Sequence, residues 1–287
     1  MDKTIECNYR DNDVLRASFN ELAEKVFGLN FEGWYQNGFW KDNYNPYSVV
    51  VDGKVVSNVS VNRCDVNYNG KNVKLIQLGT VMTDPDYRGK GYSREIMELI
   101  LSDYDGKVDG IYLFANDSVV SFYPKFGFRE FTEYQYSKDV SINCERTVTA
   151  VSMADKNDWD RMVKIINEKP QNSNMYMTGN PGLYMFYLSQ FMTENVFCLS
   201  DDDTYAVAEE EGDTLILHAV FGCSDLDKVI YAFGKNVKRV VLCFTPKDPS
   251  GFTKQELHEE DTTLFVKGTF FDRLDDEGYM FQAITHA

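Results

Sequence analysis

Val81-Met82-Thr83-Asp84-Pro85-Asp86-Tyr87-Arg88-Gly89-Lys90-Gly91-Tyr92-Ser93 is the stretch on which the reading of this 287-residue chain turns. An apolar, β-branched run from Leu75 to Val81 leads into it, and a helical pattern from Ser93 to Ser102 leads out. A strand that ends in a glycine-rich turn and opens a helix makes an anion site. The first backbone N–H groups of the helix have no internal partner, and the helix dipole adds partial positive charge there. Dipole attraction is worth about 0.3–1 kcal/mol, and each charge-assisted N–H bond about 1.5–3 kcal/mol. A diphosphate suits such a seat. Arg-Gly-Lys-Gly also suits an ordinary surface turn. Neither G-x-x-x-x-G-K-[ST] nor G-x-G-x-x-G fits, because Lys90 is followed by Gly91, and Gly91 by Tyr92, Ser93 and Arg94.

Upstream, Thr4–Tyr9 reads as a strand. Arg10–Phe27 reads as a helix, with Leu15, Phe19, Leu22, Ala23 and Val26 at helical spacing and Asp11 or Asp13 as its cap. Phe31–Trp40 is an aromatic, short helical segment, either core or the wall of an acceptor pocket. Asp52-Gly53 between Tyr47–Val51 and Lys54–Val61 predicts a type I′ hairpin. Asn69-Gly70 repeats the device between Asp65–Tyr68 and Val73–Val81, giving an antiparallel meander whose last strand delivers the glycine-rich turn. Downstream, Gly110–Phe114 reads as a buried strand parallel to that one, Ser118–Lys125 as a short helix and Phe128–Ser137 as a strand. The expected order is β-α-α-β-β-β-α-β-α-β.

Composition narrows the classes. The formal net charge is −16, from 29 Lys+Arg against 45 Asp+Glu, which argues against nucleic acid and against an anionic membrane surface. Acid excess suits a cationic substrate weakly, since it is also a common route to solubility. Cys7, Cys64, Cys144, Cys198, Cys223 and Cys243 stand singly, without C-x-x-C, and His218, His258 and His286 do not cluster with them, so no metal site is expected. No signal-peptide pattern opens the sequence and no 18-residue apolar run occurs, so the expectation is a cytoplasmic, reduced protein.

At Asn116-Asp117-Ser118-Val119-Val120-Ser121-Phe122-Tyr123-Pro124-Lys125-Phe126-Gly127-Phe128 a resemblance becomes specific. Together with Val81–Ser93 this resembles the GNAT superfamily of acyl-CoA N-acyltransferases. The family motif [QR]-x-x-G-x-[GA] falls on Asp86, Tyr87, Arg88, Gly89, Lys90 and Gly91, with Asp86 departing at the first position. The pattern N-x₆-Y-x-K-x-G-F is met by Asn116, Tyr123, Lys125, Gly127 and Phe128. The resemblance covers about residues 1–140 and implies an α/β mixed-sheet GNAT fold using acetyl-CoA as acyl donor, with no metal. Two parallel strands, Leu75–Thr83 and Ile111–Phe114, would splay to admit the pantetheine arm. Backbone groups of the Val81-Met82-Thr83 segment would pair with its amides. Amides from Arg88 through Gly89, Lys90, Gly91, Tyr92 and Ser93 would cradle the diphosphate, with Lys90 an optional charge partner. Asn116 would reach the cofactor or a water beside it. Tyr123 would give a proton to the departing thiolate; otherwise it is a packed aromatic bonded to backbone. A strand N–H near Leu78–Thr80 would hold the oxyanion.

The resemblance leaves the base open. An alkyl ammonium of pKa ~10.4 spends about 4.6 kcal/mol to be neutral at pH 7. Family members often carry a strand Glu, but Lys74-Leu75-Ile76-Gln77-Leu78 holds no carboxylate. Asp65, the terminal carboxylate of Ala287 (some two-domain relatives bring the chain end into the site) and a water relay are the alternatives.

Past a boundary near Asn143–Arg146, the second half reads in the same order: strand Val148–Met153, helix Asp155–Glu168, aromatic helix Leu183–Met192, strands Val196–Leu199, Tyr205–Ala208 and Leu215–Phe221, helix Leu226–Phe233 and strand Val237–Phe244. Residues 1–142 are therefore expected to form a GNAT domain and residues 143–287 a degenerate copy. Where the first half has its two-glycine cradle, the second has Phe221-Gly222-Cys223-Ser224-Asp225, whose aspartate would repel phosphate. The acidic segment Asp248–Asp276 has no assignment, Tyr279–Ile284 is expected to be a last strand, and His286 is expected to be structural. The leading expectation is an N-acetyltransferase acting on the amine of a small molecule or peptide, with oligomerisation open. The rival is a non-catalytic acyl-CoA sensor, and a vestigial interaction domain is a third reading.

Overall fold

The computed structural model describes residues 2–199, 204–222, 225–274 and 277–287. In chain order the first half forms β1 (Lys3–Cys7), α1 (Asp13–Phe27), α2 (Glu32–Gln36), β2 (Tyr44–Val51), β3 (Lys54–Arg63), β4 (Val66–Tyr68), β5 (Lys71–Val73), β6 (Leu75–Thr83), α3 (Tyr92–Tyr104), β7 (Gly110–Ala115), β8 (Arg129–Glu130) and β9 (Tyr134–Asp139). The second forms β10 (Val148–Ala150), α4 (Lys156–Glu168), β11 (Met175–Met177), α5 (Pro181–Leu188), β12 (Val196–Leu199), β13 (Thr204–Glu211), β14 (Thr214–Phe221), α6 (Leu226–Ala232), β15 (Arg239–Leu242), β16 (Thr253–Glu256) and β17 (Thr263–Lys267).

Local chemistry explains most of these elements. Asn12 caps α1 by accepting from Val14 N and Leu15 N, in place of the expected Asp11 or Asp13. Asp155 caps α4 the same way. The Asp52-Gly53 and Asn69-Gly70 turns have positive φ at both central residues, as type I′ requires. Three expectations need correction. The β4–β5 hairpin leaves the meander and pairs with β11 in a separate three-stranded sheet, so β3 runs straight into β6. Ser118–Lys125 is not one helix but two 3₁₀ turns, Asp117–Val119 and Tyr123–Phe126. Tyr279–Ile284 is not a strand; Ala283–Thr285 is a 3₁₀ turn.

Two mixed seven-stranded sheets result, β1-β2-β3-β6-β7-β17-β8 and β10-β12-β13-β14-β15-β9-β16. They match position for position. β6 and β7 run parallel through Leu75–Leu78 against Gly110–Leu113, and β14 and β15 run parallel through Thr214–Leu217 against Arg239–Leu242. This is the α/β, tandem GNAT-like architecture. The halves also exchange one strand each: β17 lies between β7 and β8, while β9 lies between β15 and β16. The expected strand Phe128–Ser137 is thus divided between the two sheets as β8 and β9. One core lies under each sheet, against α3 and α6 respectively, and a third, built on the helices α1, α2, α4 and α5 and the tail around Phe271 and Phe281, joins the halves.

Candidate active site

β6 begins as a paired strand and ends as an open one. Its pairing with β7 stops at Leu78–Leu113. The next residues are Gly79 and Thr80, and Thr80 has φ 48°. Positive φ on a β-branched residue is strained backbone. Here it marks a bulge, since the β3–β6 register shifts between Asn58 and Ser60. The distortion is held from both sides: Asn58 Nδ2 donates to the Thr80 carbonyl at 2.9 Å, and the Tyr44 and Thr80 hydroxyls share a 2.7 Å hydrogen bond. Beyond the bulge β6 and β7 diverge. The cavity between them measures about 670 Å³ and takes in Val81, Met82, Thr83, Phe114, Asn116 and Tyr123.

The loop after β6 leaves open space and free backbone donors at the start of α3. Asp84 accepts from Asp86 N at 3.0 Å, fixing the turn Pro85–Tyr87, and takes Lys25 Nζ from α1 at 2.8 Å. Gly89 and Gly91 have φ of 75° and 81°, yet a Cβ at either would meet nothing. Backbone conformation, not crowding, demands glycine there. Gly91 is the N-cap of α3 and supplies no side-chain cap, so the Tyr92, Ser93 and Arg94 N–H groups have no intrahelical acceptor. A second cavity of about 330 Å³ lies over them and shares Thr83, Arg88, Ser93 and Phe122 with the first. Lys90 Nζ rests over the Tyr87 ring at 4.2 Å. Asp86 is exposed, with its carboxylate 4.0 Å from Lys25, so its negative charge is offset on the outer side of the loop.

Tyr123 is buried, edge-on to Phe122 and against Phe265 with ring centres 5.5 Å apart. Burial pushes its phenol up to about 12. Among the described residues its hydroxyl makes no hydrogen bond, so it is not tied to backbone and instead lines the cavity. Asn116 Nδ2 donates to the Asp261 carboxylate at 2.9 Å, and Asp117 N donates to the same group at 2.7 Å. Phe265 lies on the exchanged strand β17, and Asp261 on the loop leading into it.

The last residues of the sequence close the other end. His286 stacks on Phe114 at 3.6 Å, its carbonyl accepts from the Tyr187 hydroxyl at 2.6 Å, and burial holds its imidazole down to about 3, hence neutral. The Ala287 backbone carbonyl lies against Gly79, where any Cβ would overlap it. Asp65 is elsewhere, in a separate pocket with Lys74 and Asp109.

Residues 12–131 match the family model of the acetyltransferase (GNAT) domain. The chain carries a GNAT acetyltransferase domain. Solved structures agree on the fold. A conserved Enterococcus faecalis protein of unknown function, a probable N-acyltransferase, superposes with TM-score 0.62 at 16% identity, covering 96% of this chain and 74% of that one. A GCN5-related N-acetyltransferase from Kribbella flavida gives 0.58 at 14%, covering 92% and 71%. Eis1 from Mycobacterium abscessus gives 0.57 at 13%, covering 92% and 73%. No curated protein matches the chain.

Within the GNAT domain the structure brings together Val81, Met82, Thr83, Arg88, Ser93, Asn116 and Tyr123 on one cavity, with Gly89, Gly91 and Tyr92 on the adjoining one. Residue patterns reached Thr80 only within the Leu78–Thr80 strand end, without its positive φ, and missed Asp261 and Phe265. A glycine inside a strand, Gly79, was the available signal for the bulge; nothing local points to Asp261 or Phe265. In the second half Gly222 likewise has positive φ, Cys223 and Ser224 lie outside the described residues, and Asp225 caps α6 with its own carboxylate, accepting from Lys228 N at 3.2 Å.

Proposed function

We propose that the protein transfers the acetyl group of acetyl-CoA to a primary amine by direct attack. The observation that carries this reading is a pair of adjoining cavities that share Thr83, Arg88, Ser93 and Phe122, one over the uncapped, glycine-opened N-terminus of α3 and one in the cleft between β6 and β7 with Tyr123 on its wall. The residues fit such a donor. The Arg88–Ser93 segment offers backbone N–H groups and open room to a diphosphate. The unpaired edge of β6 from Val81 to Thr83 offers strand-like partners to the pantetheine amides, and Asn116 flanks it.

The amine nitrogen attacks the thioester carbonyl carbon, the C–N bond forms, and the oxyanion is met by backbone N–H at the Gly79–Thr80 bulge. The C–S bond then breaks and Tyr123 gives its proton to the sulfur. With the phenol near 12 and a thiol near ~8.5, that transfer is uphill by about 5 kcal/mol, so it accompanies bond cleavage rather than following it. The amine proton leaves through a water relay; Asp65 faces another pocket and has no part. Residues 1–142 supply the donor site, and 143–287 act as a degenerate copy that walls the acceptor. Among the described residues five cysteines are free thiols, two of them exposed, which supports a reducing, cytoplasmic setting.

Among the described residues no Asp or Glu side chain lines the cavity, and this favours a second reading, non-catalytic binding of an acyl-CoA. Incubation with acetyl-CoA and a panel of amines, following thiol release, separates the two. Turnover establishes the transferase. Tight CoA binding without turnover establishes the sensor. Absence of CoA binding removes both.

A further inference from the structure

The chain has 45 Asp+Glu residues, yet among the described residues none places a side chain on the main cavity, and Arg88, at the donor end, is the one side chain there that carries a charge at neutral pH. The acceptor end is walled by Phe31, Trp34, Tyr44, Leu183, Phe186 and Tyr187. These rings are ordered by one another: Phe186 stacks on Phe31 at 5.4 Å and meets Trp34 edge-on at 5.7 Å. The mouth is apolar too. Of the five large apolar side chains exposed among the described residues, Phe27 and Val119 lie on the cavity, and Phe191 packs on Phe186 at 5.5 Å. Isolated exposed apolar residues need no explanation; here two lie on the cavity wall and a third packs on a wall residue, which adds to its apolar surface.

Resting on the acyl-transfer reading, we infer that the acceptor is a monoamine carrying a ring-sized apolar body, of the arylalkylamine class. Such a body buries its surface against the rings and leaves one nitrogen to reach the acyl carbon. A diamine, polyamine or aminosugar brings further ammonium groups, which would lose water against rings with no Asp or Glu side chain among the described residues to pair them. The same walls disfavour the charged form of the one nitrogen that must react, raising the share of free amine. This supplies part of what an active-site carboxylate would otherwise provide. The acidity of the chain as a whole therefore says nothing of the acceptor; the acid is on other surfaces.

The test compares kcat/KM at saturating acetyl-CoA for ethylamine, butylamine, 2-phenylethylamine, 1,4-diaminobutane and spermidine. Apolar burial is expected to raise kcat/KM about fourfold per methylene from ethylamine to butylamine, with 2-phenylethylamine higher still and 1,4-diaminobutane at least tenfold below butylamine. Phe27→Asp, on the exposed rim, and Phe186→Asp, at the half-buried wall, are expected to narrow or reverse the gap between monoamine and diamine while leaving CoA affinity unchanged. The first keeps the test sound if the second fails to fold. Diamine or spermidine turnover equal to or above that of 2-phenylethylamine overturns the inference and leaves acyl transfer standing. If acetyl-CoA binds and no amine turns over, acyl transfer fails. Equilibrium binding to the CoA complex, read by tryptophan fluorescence, then decides the pocket: tighter 2-phenylethylamine than 1,4-diaminobutane sustains it, and the reverse, or no binding of either, overturns it.

Discussion

Tyr123 and Glu133 are both buried acids that keep their protons, and they keep them for different ends. The Tyr123 hydroxyl opens on the cleft and has no partner among the described residues, so Tyr123→Phe removes the proposed proton donor and little packing. Turnover is expected to fall about 10²–10⁴-fold, the range for a positioned proton donor, with the Kd for CoA within about twofold of the parent by calorimetry. Because burial holds the phenol near 12, its loss of a proton sets no alkaline limb in the rate below that pH. Glu133 lies where the chain leaves β8 for β9, and its carboxyl accepts from Phe281 N at 2.7 Å. Burial pushes it up to about 8, Phe281 N opposes this, and Glu259 in the same pocket adds to it. The folded state therefore holds a proton that the unfolded state releases near pH ~4.3. Its contribution is complete below that pH and is lost as pH rises through about 8. Glu133→Gln keeps a carbonyl acceptor and removes the titration. Thermal melts at pH 5 and pH 8 should show the variant gaining on the parent at pH 8, by an amount on the order of 3 kcal/mol. Equal gain at both pH values would refute the assignment.

The element that sets the proposed donor site is the β6-loop-α3 unit, and its glycines act through conformation. A side chain at Gly91 meets no protein atom, but φ 81° costs a non-glycine residue about 1–2 kcal/mol, and the added bulk stands where the diphosphate would approach. Gly91→Val is expected to weaken CoA binding at least tenfold while the fold survives, measured by calorimetry beside a urea titration. This unit was legible from sequence because each of its parts is local: a β-branched run, a proline turn, two glycines and a helical stripe. The I′ hairpins were legible for the same reason. The bulge was half legible. Gly79 interrupts the strand in the sequence, but that Thr80 would carry the positive φ depends on Asn58 and Tyr44, which grip it from two other strands. Asp248–Asp276 resisted assignment because its strands are short and their partners lie far away. β17 pairs with β7 and β8, at least 133 residues earlier, through a five-residue segment whose apolar centre, Leu264-Phe265-Val266, has no helical or alternating pattern of its own.

At the scale of the whole molecule, strand exchange ties the second half to the chemistry of the first. β17 completes the first sheet, its Phe265 packs on Tyr123, and Asp261 just before it fixes Asn116 and Asp117. β9 returns the favour in the second sheet, between β15 and β16. A boundary at residue 142 would therefore cut the chain but not separate two complete sheets. Removing residues 143–287 leaves β7 with an unpaired edge, strips Phe265 from the core under the first sheet and takes Leu264 and Val266 from the core that joins the halves, all at most 3% exposed. At roughly 1.5–3 kcal/mol per buried apolar side chain, those three alone approach the whole stability of an ordinary domain, about 5–15 kcal/mol. The 1–142 fragment is thus expected to lack a cooperative melt and to bind no CoA, whereas co-expressed 1–142 and 143–287 are expected to associate and recover binding. Phe265→Ala in the 287-residue chain should cost about 3–5 kcal/mol and lower turnover more than CoA affinity, since its ring backs Tyr123 and not the loop after β6. A 1–142 fragment that melts cooperatively and binds CoA by itself would show that the exchanged strand is an ornament on an already complete domain.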